Sequence, residues 1–475
     1  MTKIKFGTDG WRAIIAKDFT VENVARVTEA VSEYLLKTHK NPSVVLGHDC
    51  RFAGELFAET AAKVFIANNI KVLLAKDFIS TPMISLGAVK YKTDLGVIIT
   101  ASHNPPSYNG YKLKAHYGGP LGPEIVQEIE DIIPPDTIYD LDVISLKDAE
   151  KNGMLKYVNL EEDYIKHVEK NFDLKAIKNA NLNLAYDSMF GAGQRVMFKL
   201  FPEIYHLHND ENPGFHGQAP EPIHKNLLEF SNFIKEKNLS ADKAGNISCG
   251  LATDGDADRI GLYDSEGNFV DSHHIILLLI HYLVKYKGMK GKVVTAFSTS
   301  VKIKNMCAHY GLQLDVAKIG FKYICSVMVK EDVLVGGEES GGIAIKGHIP
   351  ERDGIWMGLT IWEFMAKTGK SLKELIQEVY DITGTFWFER NDMHIDETVK
   401  QKVLSNCKKG NYKTFGKYKV SRVEDLDGYK YFFDENTWMM IRASGTEPVL
   451  RVYAEGATKE IAFDIIEDAK KILLN

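Results

Sequence analysis

The sequence predicts an α/β protein: three related α/β domains with mainly parallel, mixed sheets, then a smaller C-terminal α+β domain. The first observation behind this is a recurring local plan of apolar run, turn rich in Gly, Ser or Asp, and helix-like pattern. It appears in SVVLGHDCRFAGELFAETAAKVFIAN from Ser43, LNLAYDSMFGAGQRVMFKLF from Leu182 and KVVTAFSTSVKIKNMCAHYG from Lys292. Continuous apolar runs alternating with amphipathic helices are the mark of strands covered on both faces. The second is a change of pattern near the end, where WMMIRASGTEPVLRVYAEG reads as two strands around a turn and TKEIAFDIIEDAKKILLN as a closing amphipathic helix. The third is length, because 475 residues are too many for one core and suit about three to four domains. Polar connectors near 146–160 and 367–385 set the expected domains at 1–150, 151–264, 265–375 and 376–475.

Composition narrows the function classes. With 45% hydrophobic and 26% charged residues the chain is of ordinary globular make-up. A net charge of -6 and the lack of any Lys/Arg block argue against a nucleic-acid partner. Five scattered cysteines without a CxxC pair suit free thiols in a reducing cytoplasm. The start, MTKIKFGTDGWR, has no apolar signal region, and IILLLIHYLV (Ile275 to Val284) is about half a membrane span. The expectation is a cytoplasmic protein with no membrane association, and a buried helix around Ile275.

Four stretches offer chemistry. In TDGDADRIG, Asp254, Asp256 and Asp258 alternate with small residues, so a tight loop can turn three hard oxygen ligands toward Mg²⁺ or a similar ion. An EF-hand is excluded, since its sixth and twelfth positions would be Arg259 and Ser265 rather than Gly and Glu. The bland reading is a solvated acidic turn. TASHNPPSYNGYK follows an apolar run and puts Ser102, His103 and Lys112 in one polar segment. Ser102 is either a turn serine or the carrier of a phosphate, whose oxygens could complete the ligand set of the three aspartates. VGGEESGGIAIKGHIPERDG places Glu338, Glu339 and Ser340 between glycine pairs, as a sugar-binding loop or a surface turn would. RASGTEPVLR combines Arg442, Ser444, Gly445, Thr446 and Arg451, an anion cradle or a loop with incidental arginines.

Together with FGTDGWR (Phe6 to Arg12), these motifs in this order resemble the α-D-phosphohexomutase superfamily along the whole chain. The resemblance implies four domains around a central cleft and reversible phosphoryl transfer between the 1- and 6-positions of a hexose phosphate. Ser102 would be the phosphoserine and Asp254, Asp256 and Asp258, on a loop exposed to the cleft, would hold Mg²⁺ against its phosphate, while Arg12 and Arg259 supply positive charge. Lys112 matches a proton-transfer or phosphate-stabilising lysine, with His103 beside the phosphoserine. Glu338 and Ser340 match sugar-binding positions, Lys322 in KIGFKYI a further substrate-contacting loop, and Arg442, Ser444, Gly445, Thr446 and Arg451 the clamp for the non-reacting phosphate. Glucose 1,6-bisphosphate is the implied intermediate and activator. Met or Gln is usual elsewhere between the Glu and Ser, and His at the second following Gly. Glu339 and Gly342 at these positions point to glucose 1-phosphate ahead of mannose or glucosamine phosphates. A sugar phosphatase and a non-catalytic sugar-phosphate binder are the competing readings, and the chain is expected as a monomer or homodimer.

Overall fold

The computed structural model describes residues 4–7, 9–239, 246–443 and 449–474. The first sheet contains β1 (Trp11–Ile14), β2 (Ser43–His48), β3 (Lys71–Ala75), β4 (Leu95–Ile99), β5 (Tyr108–Ala115) and β6 (Leu155–Val158), in the order β1-β5-β4-β2-β3-β6. The second contains β7 (Leu184–Asp187), β8 (Tyr205–Leu207), β9 (Cys249–Thr253), β10 (Ile260–Tyr263) and β11 (Phe269–Val270), in the order β11-β10-β9-β7-β8. The third contains β12 (Lys292–Ala296), β13 (Leu314–Ala317), β14 (Val333–Gly337) and β15 (Ile343–Ile345), in the order β13-β12-β14-β15.

One plan underlies all three. The orders β3-β2-β4-β5, β8-β7-β9-β10 and β13-β12-β14-β15 are the same four-strand arrangement. In each, the leading strand is parallel to both of its neighbours and the last strand returns antiparallel. The helices predicted after the leading strands form at Gly54–Ala67, Gln194–Leu200 and Lys302–Tyr310. The apolar run at Ile275 lies in the buried helix Ser272–His281. All five cysteines are free and buried.

The fourth sheet is wholly antiparallel. It orders β16 (Trp387–His394), β22 (Val449–Gly456), β21 (Trp438–Ala443), β20 (Tyr429–Phe432) and β19 (Arg422–Glu424) beside a small ribbon of β17 (Thr414–Phe415) and β18 (Tyr418–Lys419). Helix Lys459–Leu474 packs on it as the sequence predicts.

The expected limits shift. β6 joins the first sheet beyond residue 150, and β11 joins the second beyond 264. Helix Leu372–Thr383 packs on Lys302–Tyr310 and stays with the third unit beyond 375. These segments follow the surfaces that bury them rather than the polar connectors. Among the described residues no helix is long and apolar enough to cross a membrane.

A single apolar core runs from Val45 and Ile84 through Tyr164 and Leu251 to Leu277 and Trp362, so the first three units share it. The fourth has its own core, including Met439, Leu450 and Ile465. It meets the third through Phe432, Trp438, Met440 and Tyr453 packed on Phe297. Trp438 is fully buried in this joint, and burying a large aromatic there carries much of its stability. Trp438→Ala is expected to cost about 3–5 kcal/mol and to lower the midpoint of thermal unfolding; an unchanged midpoint would mean that the joint contributes little.

Candidate active site

The shared topology delivers the chemistry. Thr100–Ser107 joins β4 to β5, Asp254–Arg259 joins β9 to β10, and Glu338–Gly342 joins β14 to β15, so three equivalent loops leave three equivalent strand ends. Strand carboxyl ends are where open α/β sheets place ligands. The loops touch in sequence. Ser102 Oγ donates to Asp254 Oδ2 at 2.7 Å, and Ile260 N donates to Gly341 O at 3.1 Å beside an Arg259–Gly342 bridge. Gly255 lies so close that a Cβ would stand 2.6 Å from the Ser102 carbonyl oxygen. Only glycine admits this approach.

Ser102 adopts a left-handed backbone, φ 55°, and is buried. Such a conformation persists only where its surroundings enforce it. Arg51 does so, because its guanidinium donates to the carbonyls of Ser102 (2.6 Å), Asn104 (2.7 Å), Pro105 and Tyr108 (both 3.0 Å). Asp49 lies 3.5 Å from Arg51 Nε and accepts from Thr100 Oγ1, and Thr100 in turn accepts from Ser102 N at 2.9 Å. Burial pushes the Asp49 carboxyl up to about 6 even beside Arg51.

The aspartates were expected on a cleft-exposed loop; Asp254, Asp256 and Asp258 are fully buried. Protein cations already offset their repulsion. Lys112 Nζ, itself fully buried, donates to Asp256 Oδ2 (2.8 Å) and Asp258 Oδ2 (3.2 Å) and lies 3.0 Å from Asp9 Oδ2. Arg352 Nη2 reaches Asp258 Oδ2 at 2.7 Å, and Thr81 Oγ1 donates to Asp256 Oδ2 at 2.5 Å. Burial opposes the Lys112 charge, but Asp256, Asp258 and Asp9 outweigh it and hold the ammonium above its ordinary range. Lys112 is therefore a fixed positive charge. Burial, then Asp256 and Asp258, push Asp254 well above the carboxylate range.

Ligand atoms of the three aspartates lie within 4.8 Å of one another. Asp256 Oδ1 and Asp258 Oδ1 are buried without a hydrogen-bond partner, while the other oxygen of each is held by protein donors. Two orphaned anionic oxygens beside Ser102 fit a hard divalent cation such as Mg²⁺.

His103 Nδ1 lies 3.3 Å from Ser102 Oγ, and burial followed by Arg259, Arg12, Lys112 and Arg51 pushes the imidazole well below its usual pKa. It is neutral at physiological pH. Arg12 Nη1 donates to Asn104 Oδ1 at 2.7 Å, and Arg259 Nη1 lies 3.8 Å from Glu221. Glu338 Oε1 accepts from Gly320 N at 2.9 Å, and burial pushes its carboxyl up to about 7. Ser340 is half-buried beside it. Lys322 lines a cavity of about 150 Å³ with Asp9 and Gly10. Arg442 and Arg451 are paired in register on β21 and β22, with Arg442 Nε donating to Asp427 Oδ1 at 3.3 Å. Ser444, Gly445 and Thr446 lie outside the described residues.

The sequence reading missed Asp9, Arg51, Thr81 and Arg352. Asp9 sits in FGTDGWR and Arg352 in HIPERDG, motifs already quoted, but nothing local shows which buried charge each one meets. Arg51→Met would leave Asp49 unpaired and release the serine loop. We expect a loss of about 3–5 kcal/mol in stability and about 10²-fold in turnover from misplacement of Ser102. Arg51→Lys, which cannot span four carbonyls, should recover stability more than turnover; wild-type turnover in both variants would exclude this role.

Four family models match in order: phosphoglucomutase/phosphomannomutase α/β/α domain I at residues 3–139, domain II at 162–267, domain III at 271–382, and the C-terminal domain at 401–472. A phosphoglucomutase/phosphomannomutase of Thermococcus kodakarensis is 28% identical, covering 98% of each chain. A phosphoglucosamine mutase of Methanococcus maripaludis is 31% identical, covering 96% of this chain and 95% of its own. A crystal structure from Thermus thermophilus, described as a phosphomannomutase, superposes over 100% of both chains with a TM-score of 0.86 at 31% identity. With its serine, aspartate and sugar loops set on the three repeated sheets and each unit matched in turn, the chain belongs to the α-D-phosphohexomutase superfamily and is a phosphohexomutase.

Proposed function

We propose that the chain interconverts hexose 1- and 6-phosphates, glucose 1-phosphate foremost, through a phosphoserine at Ser102 and a bisphosphorylated sugar. The single observation behind this is Ser102 Oγ, buried and 2.7 Å from Asp254 within the aspartate cluster. A sugar hydroxyl attacks the phosphorus on Ser102, the bond from phosphorus to Oγ breaks, and the proton given up by the hydroxyl balances the one taken up by Oγ; the second half-reaction runs in reverse and returns a phosphoryl group to Oγ. The Oγ proton, gained and lost in these steps, is held between Asp254 Oδ2 and His103 Nδ1. Lys112, Arg12 and Arg259 supply fixed charge along the path, as phosphoryl transfer needs. A divalent cation on Asp254, Asp256 and Asp258 would neutralise charge on a phosphoryl oxygen of Ser102. Arg442 and Arg451, with Ser444, Gly445 and Thr446, clamp the phosphate that is not reacting, while Lys322 and Ser340 contact the substrate.

Turning the bisphosphate end for end exchanges the 1- and 6-phosphates and also exchanges the 3- and 4-hydroxyls of the ring. A fixed reader that serves both orientations therefore reads those two hydroxyls. This task is assigned to Glu338, whose carboxylate accepts a hydrogen bond from Gly320 N. The C2 substituent, where glucose, mannose and glucosamine differ, lies in a different place in each orientation. Mannose and glucosamine 1-phosphates are thus accepted as well, in keeping with relatives named as a phosphoglucomutase/phosphomannomutase and a phosphoglucosamine mutase. The preference for glucose 1-phosphate rests on Glu339 and Gly342 in the motif, and the Glu339 carboxylate accepts a hydrogen bond from Ser298 Oγ.

Intact-mass analysis of the purified chain is expected to show a fraction carrying one phosphate, absent from Ser102→Ala together with mutase activity; full activity in that variant would end the phosphoserine reading. In side-by-side kcat/KM measurements, glucose 1-phosphate should lead, mannose and glucosamine 1-phosphates should follow, and galactose 1-phosphate, inverted at C4, should be poorest. A galactose rate equal to that of glucose would refute recognition through the 3- and 4-hydroxyls.

The charged Glu338 is the better hydrogen-bond acceptor. With its carboxyl near 7, kcat/KM should rise with pH through that value, and Glu338→Gln should remove this limb and leave only the ionisation of the substrate phosphate near 6. An identical pH profile in the variant would place Glu338 outside recognition.

A further inference from the structure

Arg352 stands where three units meet. Its side chain is almost wholly buried, forms an ion pair with Asp258 Oδ2 of the second unit at 2.7 Å, and donates a hydrogen bond to Asp9 Oδ2 of the first. Its own unit packs it against Phe321, 5.5 Å from guanidinium carbon to ring centre. It passes directly beneath the sugar loop. A Cβ on Gly342 would stand 2.5 Å from Arg352 Cδ and 3.4 Å from Glu338 Oε2, so the bare glycine makes room for this arginine.

The bonding pattern shows what the arginine does. Asp258 Oδ2 is held by both Arg352 and Lys112, and Asp258 Oδ1 is left buried and unpartnered. Lys112 alone could not fix that carboxylate, since the same ammonium also serves Asp256 and Asp9. A second cation, on a rigid fork and from a different unit, restrains the same oxygen and therefore the direction of Oδ1. Partners of this kind orient a ligand and tune its affinity for a cation.

We infer that Arg352 is a positioning residue that ties the sugar loop to the cation loop, aiming Asp258 Oδ1 at the cation through its bonds to Asp258 and Asp9 beneath Gly342. This inference rests on the reading of Asp254, Asp256 and Asp258 as a cation site. Displacement of the sugar loop through Gly342 or Glu338 moves Arg352, and the cation ligands move with it.

The test is titration of the full chain with Mn²⁺ alone, read by electron paramagnetic resonance, in parallel with hexose phosphate kinetics at several Mg²⁺ concentrations. Arg352→Met should weaken Mn²⁺ binding about 10- to 100-fold. Arg352→Lys, which keeps the charge but reaches one carboxylate at a time, should fall between. Gly342→Ala leaves every charged group in place, yet it should weaken Mn²⁺ binding as well, because the methyl displaces Arg352. In the last two variants kcat should fall more than KM changes, and raised Mg²⁺ should restore part of it. If Arg352→Met fails to fold, Arg352→Lys and Gly342→Ala decide the matter. Mn²⁺ affinity within twofold of wild type in both, with binding lost in Asp256→Asn, overturns the role of Arg352. Mn²⁺ binding that survives Asp256→Asn overturns the cation site itself, and this inference with it.

Discussion

A fully buried ammonium shared by three carboxylates is the interaction on which the site depends. Lys112 binds Asp9 from its own unit and Asp256 and Asp258 from the next. A buried charge without partners costs several kcal/mol, and an ion cluster persists only where every member is held. The cluster is therefore a condition on how the units meet: shifting the second unit against the first would take Asp256 and Asp258 from Lys112, and shifting the third would take Arg352 from Asp9 and Asp258. Lys114 and Glu351, 2.6 Å apart and equally buried, add a second pair across the first and third units.

The repeated sheet explains how so many groups converge. Each of the first three units turns its third α/β strand back through a loop into an antiparallel partner, and the loop carries serine in one unit, aspartates in the next and glutamate in the third. The rigid strand ends fix where these loops start, and the common core of the three units fixes the distance between them. Loops supported in this way can hold left-handed residues such as Ser102 and Ala257 at the point of chemistry.

Substrate reading follows from the same packing. Gly342 leaves space for Arg352, and the Glu339 carboxylate is engaged by Ser298. Two positions that stand out in the linear motif thus also meet specific neighbours in the fold. Glu338 and the arginines of β21 and β22 belong to separate units, whose apolar residues pack together at the Phe297–Trp438 joint.

Local structure and the candidate reacting groups are legible in the sequence. Apolar runs ending in small polar turns located β2, β7 and β12 with their helices, and the serine, aspartate and sugar motifs fell on the loops that meet in the structure. These signals are legible because they are local: periodicity, turn residues and the clustering of like ligands act within a few residues. Tertiary structure alone decided burial, protonation and partnership. The Asp254–Asp258 loop reads as exposed to the cleft and is buried; Lys112 reads as a proton-transfer or phosphate-stabilising lysine, and three carboxylates hold its ammonium above the ordinary range. Arg352 and Asp9 are 343 residues apart, so no pattern in either neighbourhood encodes their pairing. A buried charge takes its state from whatever the completed fold places within a few ångströms, and that distance is set only when the cores have packed.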